Sequence, residues 1–361
     1  MKHILALDGG GIRGVFSLAI LLRMQTVLRE WYGKPDLVLA DHFDFFAGTS
    51  TGAIVATCLC WGMTVDSVLE LYVKFGKTMF TRVPWYRPDK RLFVARYEAK
   101  PLGELLRRMF SEDDEGEVPA LLDSKRLKKG LLVVVRNLST GSAWPLTNNP
   151  EALYNNPALP DCNLKIPLWK VVRASTAAPM YFDPEEIVLG GRTHYFVDGG
   201  ITPYNNPALI AGLSAVLPGY NMNWEPGPDE IRLVSVGTMR LSTGLAESAR
   251  RLWLGNNAAK VPMALMQGAG WQQDYFCRCL GQCIYGESLD SEVGDLIGLP
   301  LPGKNWFSYV RYNKFYNAER LRELLIKHPN LAELDAIAAI PVLEELGRTY
   351  AEECVKVEHL I

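Results

Sequence analysis

Three short segments hold residue types that could do chemistry together. Asp8-Gly9-Gly10-Gly11-Ile12-Arg13-Gly14 follows a short apolar run and opens a helical pattern. Glycines let the backbone turn tightly and leave its N–H groups uncovered, and a helix N-terminus adds partial positive charge. Such a loop can cradle an anion, either a phosphate or a developing oxyanion. Gly48-Thr49-Ser50-Thr51-Gly52 sits in the same way between an apolar run and a helical pattern. Its serine has the setting of a nucleophile elbow, where flanking glycines remove side chains that would clash on a sharp turn. Val197-Asp198-Gly199-Gly200 ends a third run and puts a carboxylate at a strand end, facing a cleft. Taken singly, the Asp-Gly step is an ordinary turn dipeptide, and the combination is what carries meaning.

A serine nucleophile needs a base. An elbow-type Ser-His-Asp hydrolase runs in the order Ser, Asp, His, so its histidine must follow the acid. Five histidines are present, and His3, His42 and His194 all precede Asp198. His328 ends a helical pattern and His359 stands two residues from the end of the sequence, so neither sits in a convincing catalytic loop. What remains is a Ser50–Asp198 dyad in which the carboxylate takes the hydroxyl proton directly. A carboxylate is a weak base for that task, so Asp198 must be partly desolvated.

The elements that would position these groups alternate between strand and helix. Ile4–Leu7, Phe43–Ala47, Leu131–Val135, Tyr195–Val197 and Ile231–Val236 read as strands. Helical spacing runs over Val15–Tyr32, Gly52–Trp61, Asp66–Phe80, Leu168–Ala178, Pro207–Leu217 and Glu247–Leu254. That alternation predicts an α/β sheet covered by helices on both faces. The last third differs, with long helical patterns at Val261–Cys283, Ala318–Lys327 and Leu331–Glu358. We therefore expect a core over residues 1–240 and a helical C-terminal extension over 241–361 packed on it.

Composition bounds the rest. The 361 residues are 48% hydrophobic and 22% charged, as in a globular protein with a large core. Their 38 basic and 40 acidic side chains give a net charge of −2, far from the balance of a DNA or RNA binder. The long uncharged stretches Phe45–Val65 and Gly199–Trp224 are broken by glycine, proline, asparagine and hydroxyl residues and do not read as transmembrane helices. Asp8 interrupts the first apolar run, so no secretory signal is expected. Cys277, Cys279 and Cys283 lack a nearby histidine and do not match zinc spacing, so no metal is expected.

The three segments, in this order and spacing, resemble the signatures of patatin-like phospholipases. Arg173-Ala174-Ser175-Thr176-Ala177-Ala178-Pro179 with Phe182 is similar to a further family segment. The likeness covers about residues 1–240 and continues loosely to Tyr309-Val310-Arg311-Tyr312-Asn313. It implies a patatin-like α/β fold with a mainly parallel central sheet, and acyl-ester hydrolysis of lipids without a catalytic cofactor. By position, it implies Ser50 as nucleophile between Gly48 and Gly52, and Asp198 as base before Gly199 and Gly200. The oxyanion loop would be Gly9, Gly10, Gly11, Arg13 and Gly14, with Gly10 and Gly11 supplying N–H groups and Arg13 supporting them.

Chain length and the helical last third also look like the patatin-like effectors of bacterial anti-phage systems, which a cyclic oligonucleotide activates. A cyclic nucleotide ligand is thus implied, acting on a cytoplasmic enzyme at the inner face of the membrane. The oligomeric state is not readable. Trp271-Gln272-Gln273-Asp274-Tyr275 with Arg278 offers stacking and hydrogen-bonding groups, although a core helix explains it more simply. Residues 74–100 interleave eight basic side chains with Phe75, Phe80, Trp85, Tyr86, Phe93 and Tyr97. This segment is either a peripheral contact with anionic phospholipid headgroups or a solvated loop whose aromatics pack inward.

Two other classes compete. Gly9-x-Gly11-x-x-Gly14 also fits a dinucleotide-binding fingerprint, which wants an acidic residue at the end of the next strand. Asp41, after Leu37–Ala40, fits that place loosely. A non-catalytic lipid-binding module is the other, and the intact Ser50 and Asp198 argue against it.

Overall fold

Val, Ile, Leu and Phe fill the strand runs without alternation, which is the pattern of strands buried on both faces. In the computed structural model, which describes residues 1–79, 81, 96–242, 261–299, 303 and 305–361, these runs lie side by side. The strands are β1 (Lys2–Leu7), β2 (Phe45–Thr49), β3 (Gly130–Asn137), β4 (Ser142–Thr147), β5 (Glu185–Leu189), β6 (Arg192–Asp198) and β7 (Ile231–Val236). After the short β8 (Arg240–Leu241) come β9 (Gln282–Tyr285), β10 (Ser308–Tyr312) and β11 (Phe315–Tyr316), the last pairing with β8. The main sheet runs β5-β6-β3-β2-β1-β7-β10-β9, with β4 also on β3. Its middle, from β3 through β9, is parallel, while β4, β5 and β6 pair antiparallel.

Helices cover both faces. They are α1 (Gly14–Tyr32), α2 (Leu39–His42), α3 (Thr51–Cys60), α4 (Val65–Met79), α5 (Ala99–Met109) and α6 (Leu168–Ser175), then α7 (Ala208–Val216), α8 (Val261–Leu280), α9 (Ala318–Lys327) and α10 (Ile340–Cys354). Successive strand residues point to opposite faces. Leu5, Leu7, Phe46 and Val133 join a core with α1 and α3, and Ile4, Ala6, Phe45 and Val134 join another with α7 and Phe307. Among the described residues one helix, Gly11–Tyr32, is long and apolar enough to cross a membrane. It is buried among α4, α10 and the first of these cores.

The expected α/β architecture is the observed one, with three local differences. Val261–Cys283 is not one helix: α8 stops at Leu280, Gly281 breaks it, and Gln282–Tyr285 becomes an edge strand. Within Leu331–Glu358 the α-helix begins at Ile340, with Pro341 in its first turn, and residues 328–336 run as a loop. Helix α5 and strands β4, β5, β9 and β10 were not anticipated as elements, and β9 and β10 carry the sheet beyond residue 240. The expected helix Glu247–Leu254 lies outside the described residues, as does most of segment 74–100.

Candidate active site

The site is assembled where strands end. β2 stops at Thr49 and α3 starts at Thr51, so Ser50 carries the whole turn with φ 55 and ψ −125. Such positive-φ backbone is strained for a residue with a Cβ. The turn is tight enough that a Cβ on Gly48 would meet the carbonyl oxygen of Gly52, and a Cβ on Gly52 would meet that of Leu7 on β1, which explains the glycine pair. The Ser50 amide donates to Ser175 Oγ at 2.9 Å. Its hydroxyl Oγ donates to Asp198 Oδ2 at 2.6 Å, joining residues 148 positions apart.

Asp198 is the last residue of β6, and its own N–H donates to the Ala177 carbonyl at 3.0 Å. Gly199 and Gly200 continue as a 3-10 turn, and the Gly200 amide donates to Asp198 Oδ1 at 2.7 Å. The side chain is buried. Burial pushes its pKa from 3.8 up to about 6, against the opposing pull of the Ser50 and Gly200 hydrogen bonds and of Arg173. This is the partial desolvation a carboxylate base requires.

The glycine loop lies beside this pair. Gly11 has φ +58, a conformation that glycine adopts without steric penalty. Gly10 and Gly11 line the same cavity as Ser50 and Asp198, and among the described residues their N–H groups make no hydrogen bond. The other members of the expected oxyanion loop do not present donors. The Gly9 amide donates to Asn205 O at 3.0 Å, that of Arg13 to Gly10 O at 3.2 Å, and that of Gly14 to carbonyls of Gly11 and Ile12. Within the expected loop, Gly10 and Gly11 thus keep the unbonded N–H groups, while those of Arg13 and Gly14 close the loop on itself and that of Gly9 ties it to Asn205. The Arg13 side chain is buried against the loop, with Nε 3.4 Å from Gly10 O, and burial lowers its pKa to about 10.

Beneath the loop, Arg311 on β10 donates from Nη1 to Asp8 Oδ1 at 2.8 Å, a buried ion pair that fixes the residue preceding the glycines. Above it, the Leu334 carbonyl accepts from the Ile12 amide at 2.8 Å. The cavity holds about 380 Å³ and is walled by apolar groups, including Ile54, Leu102, Phe182, Ile201, Met266 and Leu334. One hydroxyl, one desolvated carboxylate and two open amides thus face an apolar chamber, an arrangement suited to acyl transfer from a hydrophobic ester.

Other candidates fall elsewhere. His194 pairs with Asn137 and packs on Trp144. His359 bonds the Tyr312 hydroxyl at 2.8 Å. Arg278 is spent on Asp274, at 2.9 Å to each carboxylate oxygen, and on the carbonyls of Glu287 and Asp295, so it offers no free guanidinium. Asp41 is the third residue of α2 and accepts from the Val38 amide at 3.0 Å, so no strand presents it as a dinucleotide fold would. Among the described residues no group of three His, Cys, Asp or Glu side chains could hold a metal.

Sequence reasoning missed three contributors. Ser175 lay within a segment identified by likeness, with no signal for its contact to the elbow. Leu334 and Asp335 lay inside a stretch read as helix. Asp335 Oδ2 accepts from Arg96 Nη1 at 3.0 Å and from the Tyr97 hydroxyl, which ties this loop down beside the cavity.

A cGAMP-activated phospholipase of Vibrio cholerae is 29% identical over 257 residues, covering 68% of this chain and 67% of that protein. One from Escherichia coli is 28% identical over 258 residues, covering 70% and 67%. The rat 85/88 kDa calcium-independent phospholipase A2 is 31% identical over 218 residues, covering 58% of this chain and 23% of that protein. The family model described as patatin-like phospholipase matches residues 5–211, more than half of the sequence, and the chain belongs to that family.

Proposed function

We propose that this protein is an acyl hydrolase of phospholipase A type that releases fatty acids from membrane glycerophospholipids. The carrying observation is the 2.6 Å contact of Ser50 Oγ with the buried Asp198 carboxylate beside the open amides of Gly10 and Gly11. In this reading Ser50 Oγ attacks the ester carbonyl while Asp198 takes its proton. The carbonyl oxygen becomes an oxyanion that accepts from the Gly10 and Gly11 amides. Collapse expels the lysophospholipid alkoxide, which recovers the proton from Asp198. Water then attacks the acyl–Ser50 ester, gives its proton to Asp198, and the fatty acid leaves as Ser50 is reprotonated. The apolar chamber takes the acyl chain.

Likeness to two relatives named for cGAMP activation supports control by a cyclic oligonucleotide, in anti-phage defence. The basic-aromatic segment 74–100, apart from Arg96 and Tyr97, which Asp335 holds, is our candidate for peripheral contact with the inner membrane face. A division near residue 240 separates the proposed catalytic and oxyanion residues, which all precede it, from the rest, but it is no structural boundary, since β9 and β10 extend the same sheet past it.

The deciding measurement is fatty-acid release from phospholipid vesicles by the full chain, with and without cGAMP. Ser50→Ala and Asp198→Ala should each abolish release while circular dichroism stays native. Turnover retained by purified Ser50→Ala would remove the mechanism. Equal turnover with and without cGAMP would leave the hydrolase reading and remove the nucleotide control.

A further inference from the structure

We infer that Ser175 is the positioning residue that holds the Ser50 turn in register with Asp198. It rests on the dyad reading above and concerns the contacts behind the dyad. Ser175 is the last residue of α6 and is fully buried. Its hydroxyl donates to the Val134 carbonyl of β3 at 2.7 Å and accepts the Ser50 amide at 2.9 Å. One oxygen therefore bridges the central sheet to the residue whose backbone is strained. Two residues later, the Ala177 carbonyl accepts the Asp198 amide at 3.0 Å. The stretch 175–177 thus grips both partners of the dyad through their main chains. Ser175 touches no substrate, because the cavity lining includes Thr176 and Ala178 but not Ser175.

A positive-φ turn persists only when its surroundings over-determine it. Loss of the Ser175 hydroxyl would leave the half-buried amide of Ser50 and a buried carbonyl on Val134 without that partner. The elbow would then relax, and the Ser50–Asp198 hydrogen bond would lengthen or break. That bond lowers the proton affinity of Asp198, so its loss raises the pH at which the carboxylate becomes a base.

The test uses the full chain with cGAMP present, a soluble short-chain p-nitrophenyl ester, and the variants Ser175→Ala and Ser175→Cys. Ser175→Ala should lower kcat by on the order of 10- to 100-fold, with KM within about twofold of wild type. The ascending limb of its kcat–pH profile should move above the wild-type midpoint. Ser175→Cys keeps a weaker donor and acceptor at similar volume, and its kcat should fall between the other two. Wild-type kcat in Ser175→Ala, an unmoved pH limb, or a Ser175→Cys protein no faster than Ser175→Ala would overturn the inference. Should Ser175→Ala not accumulate as folded protein, Ser175→Cys decides alone, and a wild-type rate and pH limb there overturn it. Activity surviving Ser50→Ala would instead remove the dyad reading on which this one rests.

Discussion

Thr49 and Asp198 pair with consecutive residues of one strand, Val134 and Val135 of β3. Strand β4 holds the other edge of β3 from Leu132 to Asn137, so β2 and β6 meet end to end along a single edge. The parallel strand β2 delivers Ser50 just past its C-terminal end. The antiparallel strand β6 delivers Asp198 from the opposite direction. Ladder hydrogen bonds, whose register is fixed by burial on both faces, therefore set the contact between the two side chains. This precision would be hard to hold with surface loops.

The first expectation concerns pH. Asp198 must be ionised to act as base, and its pKa is about 6. The hydrolysis rate should rise about tenfold per pH unit below that value and level off above it. Stability should run the other way. The folded pKa is raised above 3.8, so the carboxyl stabilises fully below that pH, and its contribution is lost as pH rises through about 6. The loss is on the order of 3 kcal/mol. Asp198→Asn should remove this decline, so its Tm advantage over wild type should be larger at pH 7.5 than at pH 4.5. The same advantage at both values would contradict the burial argument.

The second concerns the elbow. Ser50 holds φ 55, where a Cβ is strained and glycine is not. Ser50→Ala and Ser50→Gly both lose the hydroxyl and should both be inactive. They differ in the Cβ, so Ser50→Gly should be the more stable by about 1 kcal/mol. In most regular structure glycine is the less stable of the two. Urea denaturation reads the difference, and an alanine variant at least as stable would show that the turn carries no strain.

Much of the fold was legible because buried parallel strands and amphipathic helices write their periods directly into the sequence. β7 and α9 match their expected bounds to the residue. The site's two reacting side chains were legible because glycines mark sharp turns at strand ends. The edges were not. β9 has four residues and follows a helix without a turn cluster, so its apolar pattern reads as more helix. Ser175 and Leu334 act through one oxygen each, and a hydroxyl or carbonyl leaves no periodic trace. Which amides of the glycine loop stay open was likewise invisible, because it depends on Asn205 and Leu334 arriving from distant parts of the chain.

The third expectation concerns the loop that closes the cavity. Leu334 lines the chamber and its carbonyl accepts the Ile12 amide. The next residue, Asp335, has a side chain only 5% exposed and binds Arg96 and the Tyr97 hydroxyl. Tyr97 stacks on Tyr181 with ring centroids 6.2 Å apart, Arg96 lies 5.4 Å from the same ring, and Tyr181 is itself a cavity wall. One carboxylate therefore tethers two separate walls. Asp335→Ala would free the loop and leave the Tyr97 hydroxyl without that acceptor, a loss of about 1–3 kcal/mol in stability. Because these walls lie beyond Ser50, a long acyl chain should feel the change more than a short one. We expect KM for a dodecanoyl p-nitrophenyl ester to rise roughly 3- to 10-fold, as for a lost contact of about 1 kcal/mol, and KM for a butanoyl ester to stay within twofold. If both esters suffer alike through kcat, Asp335 acts instead by way of Leu334 on Ile12 and the glycine loop, and its role as an acyl wall is refuted.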